Sequence, residues 1–231
     1  MSSIYLIDYF ANTIKSPMHQ RTVISKLIFL LLILFSIVIS ESILILIFVF
    51  LTIIALLIAA KLPFLKILKW SVYPAFFASL FALSQIGFGL LPLQTILRAI
   101  DAAVLALLIV CTTPYPNLFS LFSKISVILS NVFFLAYRSF FLIIDELQTK
   151  IRILKLRGGY AGGPFRTLKN ISAVIGQTLI YSAEKSEIIY NLLTVRGYQG
   201  IIFSKIKYKF KTLDLILIAL GAAILILTIK L

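Results

Sequence analysis

The sequence predicts an all-α integral membrane protein with four N-terminal transmembrane helices, a cytoplasmic helical region and one C-terminal transmembrane helix. Three observations predict it. Of 231 residues, 61% are hydrophobic and 13% charged, with a mean hydropathy of +1.09, whereas soluble domains are about a quarter charged and about half apolar. Apolar runs recur at lengths close to a bilayer's thickness. Lys and Arg outnumber Asp and Glu by 22 to 8, for a net charge of +14, and they gather between the runs as cytoplasmic loop charges do. Nucleic-acid binding explains that excess less well, because no basic run interleaved with aromatics stands outside the apolar segments.

The elements follow in order. Residues 1–23 are mixed and polar, and no small-residue cleavage site follows the first apolar run, so a cleavable signal is not expected. The runs long enough to span, or nearly so, are 24–39, 43–60, 70–91, 96–111 and 213–229, against a requirement of roughly 17 to 25 residues. Ser40-Glu41-Ser42 turns the chain between the first two, and Lys61-Leu62-Pro63 with Lys66 and Lys69 does so between the second and third. Lys15, Arg21 and Lys26 place the N-terminus on the cytoplasmic side, as Lys61, Lys66 and Lys69 place the second turn. The turns at Glu41 and 87–94 carry no Lys or Arg and fall outside.

Residues 118–144 are apolar enough for a sixth span, yet crossing there would put the most basic stretch, 145–211 with twelve Lys and Arg, outside. Periodicity resolves the conflict. Asn117, Lys124, Asn131, Arg138, Asp145 and Arg152 recur every seven residues, which makes one polar stripe on an amphipathic helix over 118–156. That helix is expected at or below the inner membrane face. Asn170, Gln177, Glu184 and Asn191 repeat the device on a second helix over 167–196. Between them, residues 158–164 (Gly-Gly-Tyr-Ala-Gly-Gly-Pro) force a turn. Lys205, Lys207, Lys209 and Lys211 alternate with apolar residues and suit the headgroup level. The chain divides accordingly into 1–116, 117–212 and 213–231.

Catalytic signatures are missing. There is no G-x-x-x-x-G-K-[ST], H-E-x-x-H or G-x-S-x-G. One histidine (His19) and one cysteine (Cys111) leave no Cys/His metal cluster and no internal disulfide, so neither metal nor cofactor is expected. Cys111 lies in an apolar run and is expected to pack. Arg98 and Asp101, three apart in the fourth span, are expected to pair. Asp214 and Lys230, at the ends of the fifth, are expected to snorkel. Asp145-Glu146 reads as surface carboxylates beside Lys150 and Arg152.

The most informative feature is a duplicated one. Leu154-Lys155-Leu156-Arg157-Gly158 and Leu193-Thr194-Val195-Arg196-Gly197 each place an arginine between an aliphatic residue and a glycine, 39 positions apart. Basic residue then glycine is ordinary chemistry for a helix C-terminus. An aliphatic neighbour, however, is wasted on a solvated cap. A helix over 167–196 is on the order of 45 Å long, so the two arginines can serve two separate partner domains.

These residues resemble the transmembrane T component (EcfT/CbiQ-like family) of energy-coupling factor (ECF) transporters, over about the whole chain. Residues 183–198, ending Val195-Arg196-Gly197-Tyr198, are similar to the family's second signature. Tyr137-Arg138, Asp145-Glu146 and Leu156-Arg157-Gly158 resemble the first, and Thr112-Thr113-Pro114 resembles the step closing the fourth span. Leu156 and Val195 stand where alanine is usual. The resemblance implies a non-catalytic coupling subunit of an ABC importer in a prokaryotic plasma membrane, N-terminus cytoplasmic. Two ABC ATPase chains would accept Arg157-Gly158 and Arg196-Gly197 with Leu156 and Val195. Arg138, Glu146, Glu184 and Glu187 would support the coupling helices. The apolar faces of those helices would hold a small substrate-binding membrane protein, the S component, for cobalt, nickel or a vitamin; Ser16-Pro17-Met18-His19 resembles the cobalt/nickel branch. Two other classes remain open on the residues alone: a self-contained membrane enzyme using Arg98, Asp101 and the interfacial carboxylates on a lipid-like substrate, and a non-energised scaffold.

Overall fold

The computed structural model describes residues 3–14, 16–85, 87, 89–123, 126–198 and 212–230, and among these it contains nine α-helices and no strand. They are α1 (Ser3–Thr13), α2 (Val23–Ile39), α3 (Ile43–Ala59), α4 (Phe64–Leu83), α5 (Leu91–Thr112), α6 (Tyr115–Phe122), α7 (Val127–Leu156), α8 (Pro164–Val195) and α9 (Thr212–Lys230). Four are long and apolar enough to cross a membrane: α4, α5, α7 and α9. The 17-residue α2 and α3 are shorter apolar helices. The chain forms two compact units, residues 1–118 with 207–231, and residues 119–206.

In the first unit, α2 packs on α9, α4 and α3 on α5, and α2 on α5. Apolar residues at helical spacing fill the interior: Phe29, Ile33 and Ile37 of α2, Leu46, Val49, Ile53 and Leu57 of α3, and Val104, Leu105 and Leu108 of α5. Cys111 is buried there as a free thiol, as its apolar run predicts. The α2–α9 contact is close because of Gly221. A Cβ there would meet Phe29 Cδ2 at 3.1 Å and Leu32 Cδ1 at 3.3 Å. About two turns further on, Ser36 and Thr228 hydroxyls bond across the same contact at 2.7 Å.

The polar residues of this unit depart from expectation. Lys26, read as a loop charge, is buried within the first turn of α2; its Nζ donates to the Thr112 carbonyl at 2.7 Å and to Thr113 Oγ1 at 3.3 Å. The Thr112 carbonyl is one of those a helix C-terminus leaves unsatisfied, and a cation suits that end. Asp214 does not snorkel. It is fully buried in the first turn of α9, where Oδ1 accepts from the Thr22 N–H at 3.1 Å and from Ser25 Oγ at 3.0 Å. Lys230 at the other end of α9 is exposed as expected. Arg98 and Asp101 do not pair. Arg98 Nη2 reaches instead to the carbonyl of Ser40, the C-cap of α2, while Asp101 is buried with neither carboxylate oxygen hydrogen-bonded among the described residues. Sharing a helix side at i, i+3 brings such side chains into reach of each other, and a competing end-of-helix carbonyl won the guanidinium.

Helix limits also shift. The third run, expected over 70–91, is α4, which starts at Phe64, carries Lys66 and Lys69 inside its first turns, and ends before Gly87 and Gly89. α1 forms in a stretch expected to be merely polar. Phe10 and Ala11 are buried, and His19 ties it down, with Nε2 at 3.1 Å from the Phe10 carbonyl and Nδ1 at 2.7 Å from Ser16 Oγ. Lys15 lies outside the described residues.

The second unit contains α7 and α8. The helix expected as one piece over 118–156 is broken. α6 ends at Phe122, and Ser126 caps α7 by accepting from the Leu129 N–H at 3.4 Å. Ser130 Oγ donates to the Phe119 carbonyl at 3.0 Å, and the Phe119 and Phe133 rings stack with centroids 5.6 Å apart. Of the seven-residue stripe, Asn131 is buried, whereas Arg138, Asp145 and Arg152 are exposed. Lys124 and the lysines at 205, 207, 209 and 211 lie outside the described residues. α8 runs uninterrupted through Gly176 for 32 residues, about 48 Å at about 1.5 Å per residue.

Candidate functional site: two glycine-capped arginines

α7 and α8 lie antiparallel, fastened by a few polar contacts. Lys150 of α7 makes an ion pair with Glu146 Oε1 at 3.3 Å, donates to the Gln177 carbonyl at 3.2 Å, and sits 5.3 Å from the centre of the Tyr181 ring. Glu146 and Lys150 have the i, i+4 spacing that lets such a pair form on one helix. Asn170 Nδ2 donates to the Gly159 carbonyl at 2.8 Å and closes the turn between the helices. Gly159 is required by close approach, since a Cβ would lie 2.4 Å from Leu154 Cδ1.

Both helices end in the same way. Arg157 caps α7 with φ −83° and ψ 10°, and Arg196 caps α8 with φ −85° and ψ 10°. The glycines that follow are left-handed, Gly158 at φ 69° and Gly197 at φ 77°. The N–H of Gly158 bonds to the Lys155 carbonyl at 3.1 Å and that of Gly159 to the Leu154 carbonyl at 2.9 Å. The N–H of Gly197 bonds to the Thr194 carbonyl at 3.0 Å and that of Tyr198 to the Leu193 carbonyl at 2.9 Å. These are two Schellman motifs with matching bonds. Such a cap uses backbone groups alone, so it makes no demand on either arginine side chain.

The side chains are correspondingly free. Both arginines are exposed, and neither guanidinium makes a hydrogen bond or ion pair among the described residues. Leu156 is 82% exposed and Val195 87%. Arg157 borders a cleft of about 340 Å³ that Lys150, Leu154, Asn170, Val174 and Gln177 also line. Arg196 borders a smaller one of about 70 Å³, with Arg138, Ile189, Leu192 and Leu193. Asn170 faces Arg157 across the first cleft, so along α8 the two arginines are separated by the rise from 170 to 196, about 39 Å. Of the supporting residues expected from the sequence, Arg138 is brought to Arg196 and Glu146 to Lys150. Glu184 and Glu187 are exposed on α8 and join neither cleft. Lys150 and Asn170 are visible in the sequence beside the carboxylate pair and in the second polar stripe, but their bonds to the Gln177 and Gly159 carbonyls, which hold the hairpin, carry no sequence signal.

A family model described as cobalt transport protein, CbiQ, matches residues 14–208, which include both arginine caps. The chain belongs to the CbiQ cobalt transport protein family. This is the family that the two Arg-Gly signatures resemble. No curated protein matches the chain significantly. Membership and the apolar helices make the protein a membrane-embedded transport component.

Proposed function

We propose that the protein is the coupling subunit of an ECF-type ABC importer in a prokaryotic plasma membrane, carrying force from two cytoplasmic ATPase chains to a small substrate-binding membrane subunit. One observation carries the proposal: two arginines on identical backbone caps, each exposed beside an exposed aliphatic side chain and each without a hydrogen bond or ion pair among the described residues. A guanidinium fork with an adjacent apolar group is suited to a protein groove that supplies carboxylates and carbonyls. The separation along α8 gives each arginine room for its own ATPase.

On this account the cytoplasmic N-terminus and the coupling region 117–212 follow the positive-inside distribution. α7 lies along the inner face despite being long enough to span, because crossing would strand its exposed Arg138, Asp145 and Arg152 and the basic stretch beyond them. The substrate-binding subunit covers apolar side chains that α8 leaves outside, such as Leu168 and Leu179, 67% and 66% exposed. Cobalt is the proposed cargo, in keeping with the family.

ATPase association and cargo uptake test the proposal. The variant carrying both Arg157→Ala and Arg196→Ala is expected to insert normally and to lose ATPase association and uptake. Wild-type association in that variant would sink it.

A further inference from the structure

We propose that Arg138 completes the second arginine site, so that Arg138 and Arg196 together seat an acidic side chain of the ATPase partner and the two docking sites are electrostatically unequal. The inference rests on the coupling role above and adds a residue and a specificity to it. Arg138 of α7 and Arg196 of α8 line one cleft whose remaining walls are Ile189, Leu192 and Leu193. No carboxylate lines it, and neither guanidinium has a hydrogen bond or ion pair among the described residues. The first site is built differently. Its second cation, Lys150, is already neutralised by Glu146 and holds the Gln177 carbonyl.

Two like charges converging on an aliphatic-walled cleft repel each other and concentrate positive potential there. The hairpin gains nothing from that arrangement, whereas an arriving carboxylate relieves it and accepts from two forks of donors. Charge selects the occupant: the cleft presents two guanidinium groups between aliphatic walls and no carboxylate lines it, which suits an acidic side chain. Val195, exposed beside it, favours a protein surface over free solvent. The second site thus demands an acidic partner groove, and the first tolerates a neutral one.

Association of the cognate ATPase chains with the full protein in nanodiscs of zwitterionic lipid tests this, with each site isolated by disabling the other. In an Arg157→Ala background, where only the second site remains, Arg138→Gln is expected to weaken association roughly tenfold and flatten its salt dependence. Arg138→Lys should restore part of the loss. In an Arg196→Ala background the same Arg138→Gln change should do nothing. Equal losses in both backgrounds would make Arg138 a general structural residue and overturn the inference, as would no loss in the Arg157→Ala background. An effect that appears only when anionic lipid is added would overturn it in favour of a lipid. These outcomes are separate from failure of the coupling role, which shows as normal association when Arg157 and Arg196 are both alanine.

Discussion

The two units of the protein use the cations beside their helix ends in opposite ways. In the first, Lys26 and Arg98 are turned inward or across to carbonyls left open at the ends of α5 and α2. In the second, Lys150 is engaged by Glu146 and the Gln177 carbonyl, whereas Arg138, Arg157 and Arg196 make no hydrogen bond or ion pair among the described residues. The difference separates two reasons for keeping a charge beside a helix end. Lys26 donates to the last carbonyl of α5, whereas the ends of α7 and α8 are completed by glycine backbones, which leaves their arginines available.

The largest expected effect breaks the first half of that comparison. Lys26→Met removes the donor to Thr112 and leaves Asp214 without its nearby buried cation. It should cost about 3 kcal/mol and lower the thermal midpoint in detergent by many degrees. Arg157→Ala or Arg196→Ala should leave that midpoint unchanged; a comparable drop would show that these arginines serve the fold after all. A smaller effect probes the caps. Gly158→Ala and Gly197→Ala meet no neighbour within 4 Å, so only the left-handed backbone opposes them, at about 1 kcal/mol each. Local hydrogen exchange at the ends of α7 and α8 should rise while the first unit stays protected.

Gly221→Ala sharpens the comparison from the other side. Its methyl group meets Phe29 and Leu32 closer than ordinary contact, so α2 and α9 must give by a few tenths of an ångström at a cost of about 1 kcal/mol. The loss should appear in global unfolding and not at the caps. The smallest effect is a pH dependence. Burial, opposed by the Phe10 carbonyl and aided by the Lys26 charge, holds His19 below its ordinary value of 6.5. The unfolded chain therefore takes up the proton first. Stability is full above pH 6.5 and declines as pH falls through 6.5 towards the folded value. His19→Gln should flatten that acid limb of a pH–stability profile; an unchanged limb would place its cause elsewhere.

Much of this was legible in the sequence where the physics is local. The apolar runs mark most helices, and Gly158 and Gly197 mark two helix ends, because a Schellman cap depends on one residue's freedom to turn left-handed. The stripe on α7 was legible for the same reason, though its first member on that helix, Asn131, is buried. What escaped depends on distant residues. Lys66 and Lys69 resemble loop charges until α4 is seen to begin at Phe64. α1 is held by Phe10, Ala11 and a histidine bond, each invisible as a period. Lys26, Asp214 and Arg98 find partners 86, 192 and 58 positions away, and no local spacing predicts them. In the candidate site, Arg157 and Arg196 could be named from their neighbours, whereas the meeting of Arg138 with Arg196 required the α7–α8 register.

The backbone-only caps have a consequence for how such a protein diversifies. The bonds that end α7 and α8 come from main-chain groups and one glycine each, so the residues at 156, 157, 195 and 196 can change without altering the shape that presents them. On the proposed coupling role, partner recognition can drift at these four positions independently of folding, and sister transporters in one cell can grow apart in their choice of motor while keeping the same scaffold.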